Sequence, residues 1–330
     1  MLFRMKLTAG ILVHRDEKYL SRCLETLTKQ EGLGQIGTDW QIVVRDNAAP
    51  DKAYIEDAQR HFPDVVFLMN EDNAGYSRGH NDIARRFPAD FHAILNNDVL
   101  YEPNFLSNIL QALENTQYGS GAGKLLKWDF EGSPEKSNVI DTVGIAATKS
   151  HQFKDLGQGE EDHGQFDNNC KRFGASGAAV IYRRSDLEQV KYEGDEFYDE
   201  TMFMYKEDCD LSERLVAIGK PCIYVPEARA WHDRTASGMI KRSERSVRER
   251  SGSAAHQTVI LKKHLKWLPF SIRLRAILRD CIRWCFLMIR EPMIFFKARK
   301  ILRTGKDEMR KRREQTKHDV PFAEVAHLFS

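Results

Sequence analysis

The sequence predicts an α/β protein built on a doubly wound, mostly parallel sheet. Three observations predict it. Short apolar runs alternate with segments of helical period through the first 120 residues. The stretch between successive runs has room for one crossover helix each time. Clusters of Asp and Asn follow the apolar runs, where the strands of an open sheet hand over to loops.

Each element can be justified in order. KLTAGILV (6–13) reads as a buried strand, and YLSRCLETLTKQ (19–30) sets Leu20, Leu24 and Leu27 on one helical face. Gly32, Gly34 and Gly37 break the chain ahead of QIVVRDN (41–47), a second strand. YIEDAQRHF (54–62) is a helix stopped by Pro63, and VVFLMN (65–70) is a third strand. GHNDIARRF (79–87) is a helix stopped by Pro88, and HAILNND (92–98) is a fourth strand. A helix over 103–115 tolerates Pro103 in its first turn, where the missing N–H costs little. From 124 to 172 the pattern loosens into Gly, Asp, Ser and Asn, with strand-like VIDTVGIAA (139–147). The acidic KDLGQGEEDHGQFDN (154–168) reads as a solvated loop, with an acceptor lid as the functional alternative. GASGAAVIYRR (174–184) restores order, and FYDETMFMYKEDCDLSERLVAIG (197–219) ends in a helix closed by Gly219. PCIYVPEARAWH (221–232) is a short last strand running into a loop. SERSVRERSGS (243–253) is expected to be a hinge or an exposed helix, and 256–316 is helical and basic.

Composition bounds the answer. The 330 residues are 42% hydrophobic and 30% charged, the balance of a soluble, core-forming chain. The longest uncharged apolar run of the C-terminal third, 284–289, falls far short of the roughly 20 residues that a spanning helix needs. Residues 7–13 lack a small-residue cleavage site and read as a strand rather than a signal peptide. Six cysteines without CxxC or zinc spacing are expected as free thiols in a reducing compartment. The net charge of +2 hides a split: residues 1–237 carry 27 Lys and Arg against 39 Asp and Glu, whereas 238–330 carry 23 against 9. An acidic body (1–237) followed by a basic helical extension (238–330) is a two-part molecule whose tail calls for an anionic partner.

Ligands of open parallel sheets bind outside the carboxyl ends of strands. Four polar clusters fall there: His14–Arg15–Asp16, Arg45–Asp46–Asn47, Asn70 to Asn73 and Asn96–Asn97–Asp98. Any one of them fits an ordinary turn, but four on one rim converge on one cleft. NAGYSRGHN (73–81) enters a helix with small residues, a setting that suits phosphate or a plain turn. KEDCDLSERL (206–215) starts a helix with Glu207, Asp208 and Asp210, which complement the helix dipole. The sharper reading makes Asp208 or Glu207 a general base facing the cleft. His232 and Asp98 together would offer an imidazole and an oxygen to a divalent ion.

In this order the segments resemble the inverting nucleotide-sugar glycosyltransferases of family 2, over about residues 7–237. ILVHRDEKYLSRCLETLTKQ resembles the opening strand and helix of that family. QIVVRDNAAPD resembles its base-recognising loop and NEDNAGYSRGHN its Asn-Gly loop. LNNDV is similar to the metal-binding motif, FYDETMFMYKEDCDLSERLVAIGK to the acidic acceptor-side motif, and VPEARAWHDRTAS to the closing histidine segment. Bacterial rhamnosyltransferase-like members are the most similar. The resemblance implies a GT-A fold, with Asp46 reading a pyrimidine base and Asn73, Gly75 and Asn81 shaping the nucleotide pocket. Val13, His14, Arg15, Asn47, Arg78, Asn96 and Asn97 complete the implied nucleotide-sugar site. Asp98 and His232 would hold Mg2+ or Mn2+, and Asp208, with Glu207 beside it, would be the base. The sequence departs from the family at His14, at Arg45 and in a DXD-like motif that keeps only its last acid.

Wound at 100° per residue, 271–300 puts Arg275, Arg279, Arg283 and Arg290 in one sector. Leu274, Ile277, Leu278, Cys281, Ile282, Cys285, Met288 and Ile289 lie largely opposite. That apolar face either packs on the body as an ordinary surface helix or lies in an anionic membrane interface, with 271–313 as the contact. Nucleic acid is not an expected partner, since no recognition module is present and the body is acidic. The expected protein is a cytoplasmic, peripheral inner-face glycosyltransferase. Its donor is a dTDP- or UDP-sugar, with rhamnose favoured on resemblance, and its acceptor a glycan or lipid-linked glycan. Alternatives are a hexosyl- or galactofuranosyltransferase and a non-catalytic nucleotide-sugar-binding assembly subunit.

Overall fold

The computed structural model describes residues 5–14, 18–128, 136–233 and 246–330. Strand–helix alternation builds the first half: β1 (Met5–Val13), α1 (Leu20–Leu27), β2 (Trp40–Asp46), α2 (Ala53–His61), β3 (Val66–Leu68), α3 (Gly75–Arg86) and β4 (Ala89–Leu95). β1 lies between β2 and β4, and these four strands run parallel in the order β3-β2-β1-β4. The chain winds outward to β3, then crosses back to β4, so a crevice opens where β1 and β4 end. The apolar period of α1 is realised in full, with Leu20, Cys23, Leu24 and Leu27 all buried. They share a core with Leu7, Ile11, Ile42 and Val44 from both strands.

The second half is less regular. It comprises β5 (Val99–Tyr101), α4 (Phe105–Glu114), β6 (Ser120–Lys127), β7 (Ile140–Thr142), β8 (Ile145–Ala147), β9 (Phe153–Asp155), β10 (Lys171–Arg172), β11 (Ala179–Arg183), α5 (Arg184–Val190), α6 (Glu207–Ala217) and β12 (Cys222–His232). β11 inserts antiparallel between β4 and β6, and β12 runs parallel to β6, so the sheet is mixed but mostly parallel. Two expectations are corrected here. The last strand is 11 residues long rather than short, because a register shift between Val225 and Arg229 lets it bend and continue along β6. The strand expected at 139–147 divides at Gly144 (φ +118°) into β7, which joins the main sheet, and β8, which pairs with β9 as a separate hairpin.

Four helices follow: α7 (Val247–His264), α8 (Phe270–Arg290), α9 (Pro292–Thr304) and α10 (Lys306–Gln315), before a last short turn, α11 (Phe322–Val325). Residues from 246 onward are not an exposed hinge. Ser246 caps α7 reciprocally with Glu249, and the helix buries Ser251, Gly252, Ala254 and Ala255 in its next turns. Buried charge fixes α7 to the body. Lys263 Nζ lies 2.6 Å from both Asp199 and Asp210, and Arg214 binds Asp210 at 2.9 Å. Arg312 of α10 reaches Glu196 at 2.8 Å. His151 Nε2 sits 2.8 Å from Glu213 of α6. Among the described residues, no helix is long and apolar enough to cross a membrane. α8 and α9 nevertheless expose ten large apolar side chains, including Phe270 (76%), Ile289 (72%) and Phe296 (67%).

Candidate active site

A cleft of about 720 Å3 opens at the carboxyl ends of β1 and β4, a size suited to a small-molecule ligand. One wall carries His14, Asn47, Asn73, Gly75, Asn96, Asn97 and Asp98, and Leu12 and Val13 form its floor. Ser176–Ala178 adjoin Asn96 on that rim, where Asn96 N donates to the Ala178 carbonyl at 2.8 Å, and the facing wall carries Phe203–Cys209, part of the β8–β9 hairpin and the first turns of α7.

Sheet register brings Asp98 and His232 together. Asp98 immediately precedes β5, and Val99 pairs antiparallel with His232 at the end of β12. Asp98 Oδ1 and His232 Nε2 face each other at 3.3 Å. Behind the imidazole, Nδ1 meets Asp141 Oδ2 at 2.9 Å, the carboxylate support that orients metal-binding histidines. Burial alone would lower the His232 pKa, but Asp98 and Asp141 hold it up at about 10. The 3.3 Å gap is close to the roughly 3 Å between adjacent donors of a six-coordinate ion with bonds of about 2.1 Å. The pair would fit a Mg2+- or Mn2+-sized ion once His232 gives up its Nε2 proton. Among the described residues no group of three or more His, Cys, Asp or Glu could hold a metal.

On the facing wall, α6 begins with two carboxyls of different character. Asp208 accepts N–H groups from Gly177 (3.2 Å) and from Cys209 (2.7 Å). Glu207 is buried, and that burial, followed by the charge of Asp208, pushes its carboxyl well above the usual range. Asp208 is the more exposed of the two carboxyls. The turn into α6 is strained, with Tyr205 (φ 70°) and Lys206 (φ 75°) both left-handed without being glycine. α7 holds that turn: His256 Nδ1 lies 2.8 Å from the Tyr205 carbonyl, and the Tyr205 hydroxyl donates to Glu249 at 2.9 Å.

The other sequence-predicted residues divide. Asn47 spends its side chain on the opposite loop, accepting from Ala74 N (2.9 Å) and donating to Gly75 O (3.2 Å). Asn73 accepts from Gly75 N at 3.0 Å and approaches His14 at 3.4 Å. Gly75 (φ +76°) must be glycine, because a Cβ there would collide with the Phe203 carbonyl oxygen. Three lie off the cleft. Asp46 is fully buried, accepting from Ala49 N (2.7 Å) and facing Lys52 (3.4 Å). Asn81 tethers Tyr198 through hydrogen bonds of 2.8 and 3.0 Å, and Arg78 points to Asp72. Arg15 lies outside the described residues. Sequence reasoning missed Asp141, Tyr76, His80, Lys206 and Arg248, all of which line or support the cleft. A start signal for α7 was present in SVRE (246–249), which has the spacing of a capping box.

The model of the family described as Glycosyl transferase family 2 matches residues 8–191, more than half of the chain. The N-acetylglucosaminyl-diphospho-decaprenol L-rhamnosyltransferase of Mycobacterium tuberculosis is 26% identical over 222 residues, which is 59% of this chain and 67% of that protein. Among solved structures, the mannosyltransferase PcManGT of Pyrobaculum calidifontis, in complex with GDP-Man and Mn2+, aligns with a TM-score of 0.52 at 14% identity. The alignment covers 93% of this chain and 76% of that one. GalNAc-T7 with UDP, GalNAc and Mn2+ aligns at 0.55 and 12% identity, covering 88% of this chain and 57% of that one. At these identities the structural likeness establishes the fold: this is the GT-A type of α/β architecture.

Proposed function

The chain belongs to glycosyl transferase family 2, and from that membership we propose that it moves a sugar, with rhamnose favoured, from a dTDP- or UDP-sugar to a hydroxyl of a lipid-linked or polysaccharide acceptor, with inversion. The observation that carries this reading is that the Asp98–His232 pair and Asp208 line one cleft. The donor lies along the β1–β4 rim, with its diphosphate toward Asp98. Bound between Asp98 and His232, a Mg2+ or Mn2+ ion would supply charge neutralisation for the departing diphosphate. Asp208 accepts the proton of the acceptor hydroxyl as that oxygen attacks the anomeric carbon. The bond to the diphosphate breaks in the same step and its electron pair leaves with the phosphate, so one displacement inverts the centre. The sugar and acceptor classes are supported by the name of the mycobacterial relative, an L-rhamnosyltransferase acting on a diphospho-decaprenol acceptor.

The extension supports a peripheral seat on the anionic inner face of the cell membrane. The apolar side of α8, from Leu274 to Ile289, faces outward, continuing onto Met293 and Phe296 of α9. An exposed patch of this kind marks an interaction surface, and the surplus of Lys and Arg after residue 238 complements anionic headgroups.

The decisive test is Asp208→Asn. Transfer should fall by about 10²- to 10⁴-fold, the usual worth of a general base, while nucleotide binding stays unchanged. Transfer at the wild-type rate would remove Asp208 from the role. Co-sedimentation with phosphatidylglycerol vesicles, released by high salt, tests the seat, and a protein that never enters the pellet would refute it.

A further inference from the structure

Resting on the reading that the acceptor is carried on a lipid diphosphate, we propose that the groove between the tip of the β8–β9 hairpin and α8 seats that diphosphate and the first apolar units of its lipid. The groove, of about 510 Å3, is walled by Thr148, Ser150 and Gln152 on the hairpin side. Arg275, Leu278, Arg279 and Ile282 form the other wall, from α8. These four residues have the chemistry of a site for an amphiphile with an anionic head. Leu278 (59% exposed) and Ile282 (51%) form the edge of the outward apolar face. Arg275 and Arg279 stand one turn apart beside them, and neither has an acidic partner among the described residues. Arg283, one turn further on, is by contrast committed to Asp280 and to Thr258 at 2.7 Å.

The hairpin also joins this groove to the cleft. Phe153, Lys154 and Asp155, which directly follow Gln152, line the cleft together with Ile145, so the two sites adjoin along one strand. The hairpin is fixed to α6. His151 at the tip pairs with Glu213 of α6 at 2.8 Å, and its carbonyl accepts from Gln257 of α7 at 2.7 Å.

The test uses the full chain and measures calorimetric affinities for farnesyl diphosphate, inorganic diphosphate, UDP and dTDP, with vesicle binding in parallel. The double variant Arg275→Gln/Arg279→Gln should weaken farnesyl diphosphate by about tenfold or more and leave the nucleotides and the melting temperature unchanged. Ile282→Ser should weaken farnesyl diphosphate but not inorganic diphosphate. Three results would overturn the proposal: unchanged farnesyl diphosphate binding in the double variant, inorganic diphosphate binding as tightly as the farnesyl compound, or vesicle binding lost in the same proportion. Arginine-dependent farnesyl diphosphate binding by a protein that binds neither UDP nor dTDP would support the groove and contradict the donor reading.

Discussion

The two walls of the cleft are held in place by different forces. Behind the β1–β4 rim stand Leu, Ile, Val and Trp40 side chains packed between the sheet and α1, α2 and α4. Behind α6 stands a buried lattice of charge, in which Lys263, Arg214 and Arg312 meet Asp199, Asp210 and Glu196. Tyr192 is enclosed by the same three cations at 4.6 to 5.0 Å. The first wall is a generic platform whose side chains can be exchanged for others of similar volume. The second is specific, because a buried charge without its partner is costly, whereas a missing methyl group is not. Placement of the proposed base thus depends on the C-terminal helices, since Lys263 and Arg312 come from α7 and α10.

The contrast can be broken most severely at Lys263. Lys263→Met takes the closest cation from buried Asp199 and leaves Asp210 with Arg214 alone, and should cost about 3–5 kcal/mol in chemical denaturation. Adding Asp199→Asn should recover part of that loss, and strict additivity of the two changes would argue against a coupled lattice. Next in size is the seam between the walls. Gly75→Ala forces a side chain into left-handed backbone against Phe203, with an expected loss of about 1–3 kcal/mol and weakened nucleotide binding; a neutral outcome would mean that the loop is not clamped. On the donor wall, Ile42→Val should cost only about 0.5–1.5 kcal/mol and leave turnover unchanged.

A last effect is graded and acts on both walls. Burial, then Arg45, depresses the His80 pKa to about 3, and burial together with neighbouring cationic groups depresses that of His264. Each takes up a proton on unfolding more readily than in the fold, so stability is complete above about pH 6.5 and declines as pH falls below it. Denaturation midpoints that stay flat from pH 7.5 to 5 would contradict the buried, neutral state of these rings.

How much of this was legible follows from the same contrast. The donor wall was readable because apolar period is local: α1 and the strands flanking it announce themselves within a dozen residues. Asp98, His232 and Asp208 were readable as motif members at strand ends and a helix start. Asp141 was not, since an isolated Asp in IDTVG meets His232 across 91 positions. Nor was the ion lattice, in which Lys263 joins residues 64 and 53 positions away, as no local pattern encodes such pairing. Asp46 and Asn81 show the converse limit: a polar residue in the right loop can serve the scaffold instead of the cleft. For α8 the sequence showed an amphipathic helix, but only tertiary packing decides that Ile272, Ala276 and Leu287 turn inward while the broader apolar face stays outside.

The most direct measurement is calorimetric titration of dTDP and UDP into the wild-type protein and Asp98→Asn, with Mn2+ and with chelator. Binding of one of the two nucleotides that strengthens by about tenfold or more with Mn2+, and loses that gain in Asp98→Asn, is the expected result. Binding that ignores both the ion and the substitution would contradict the Asp98–His232 pair as the seat of the diphosphate's cation.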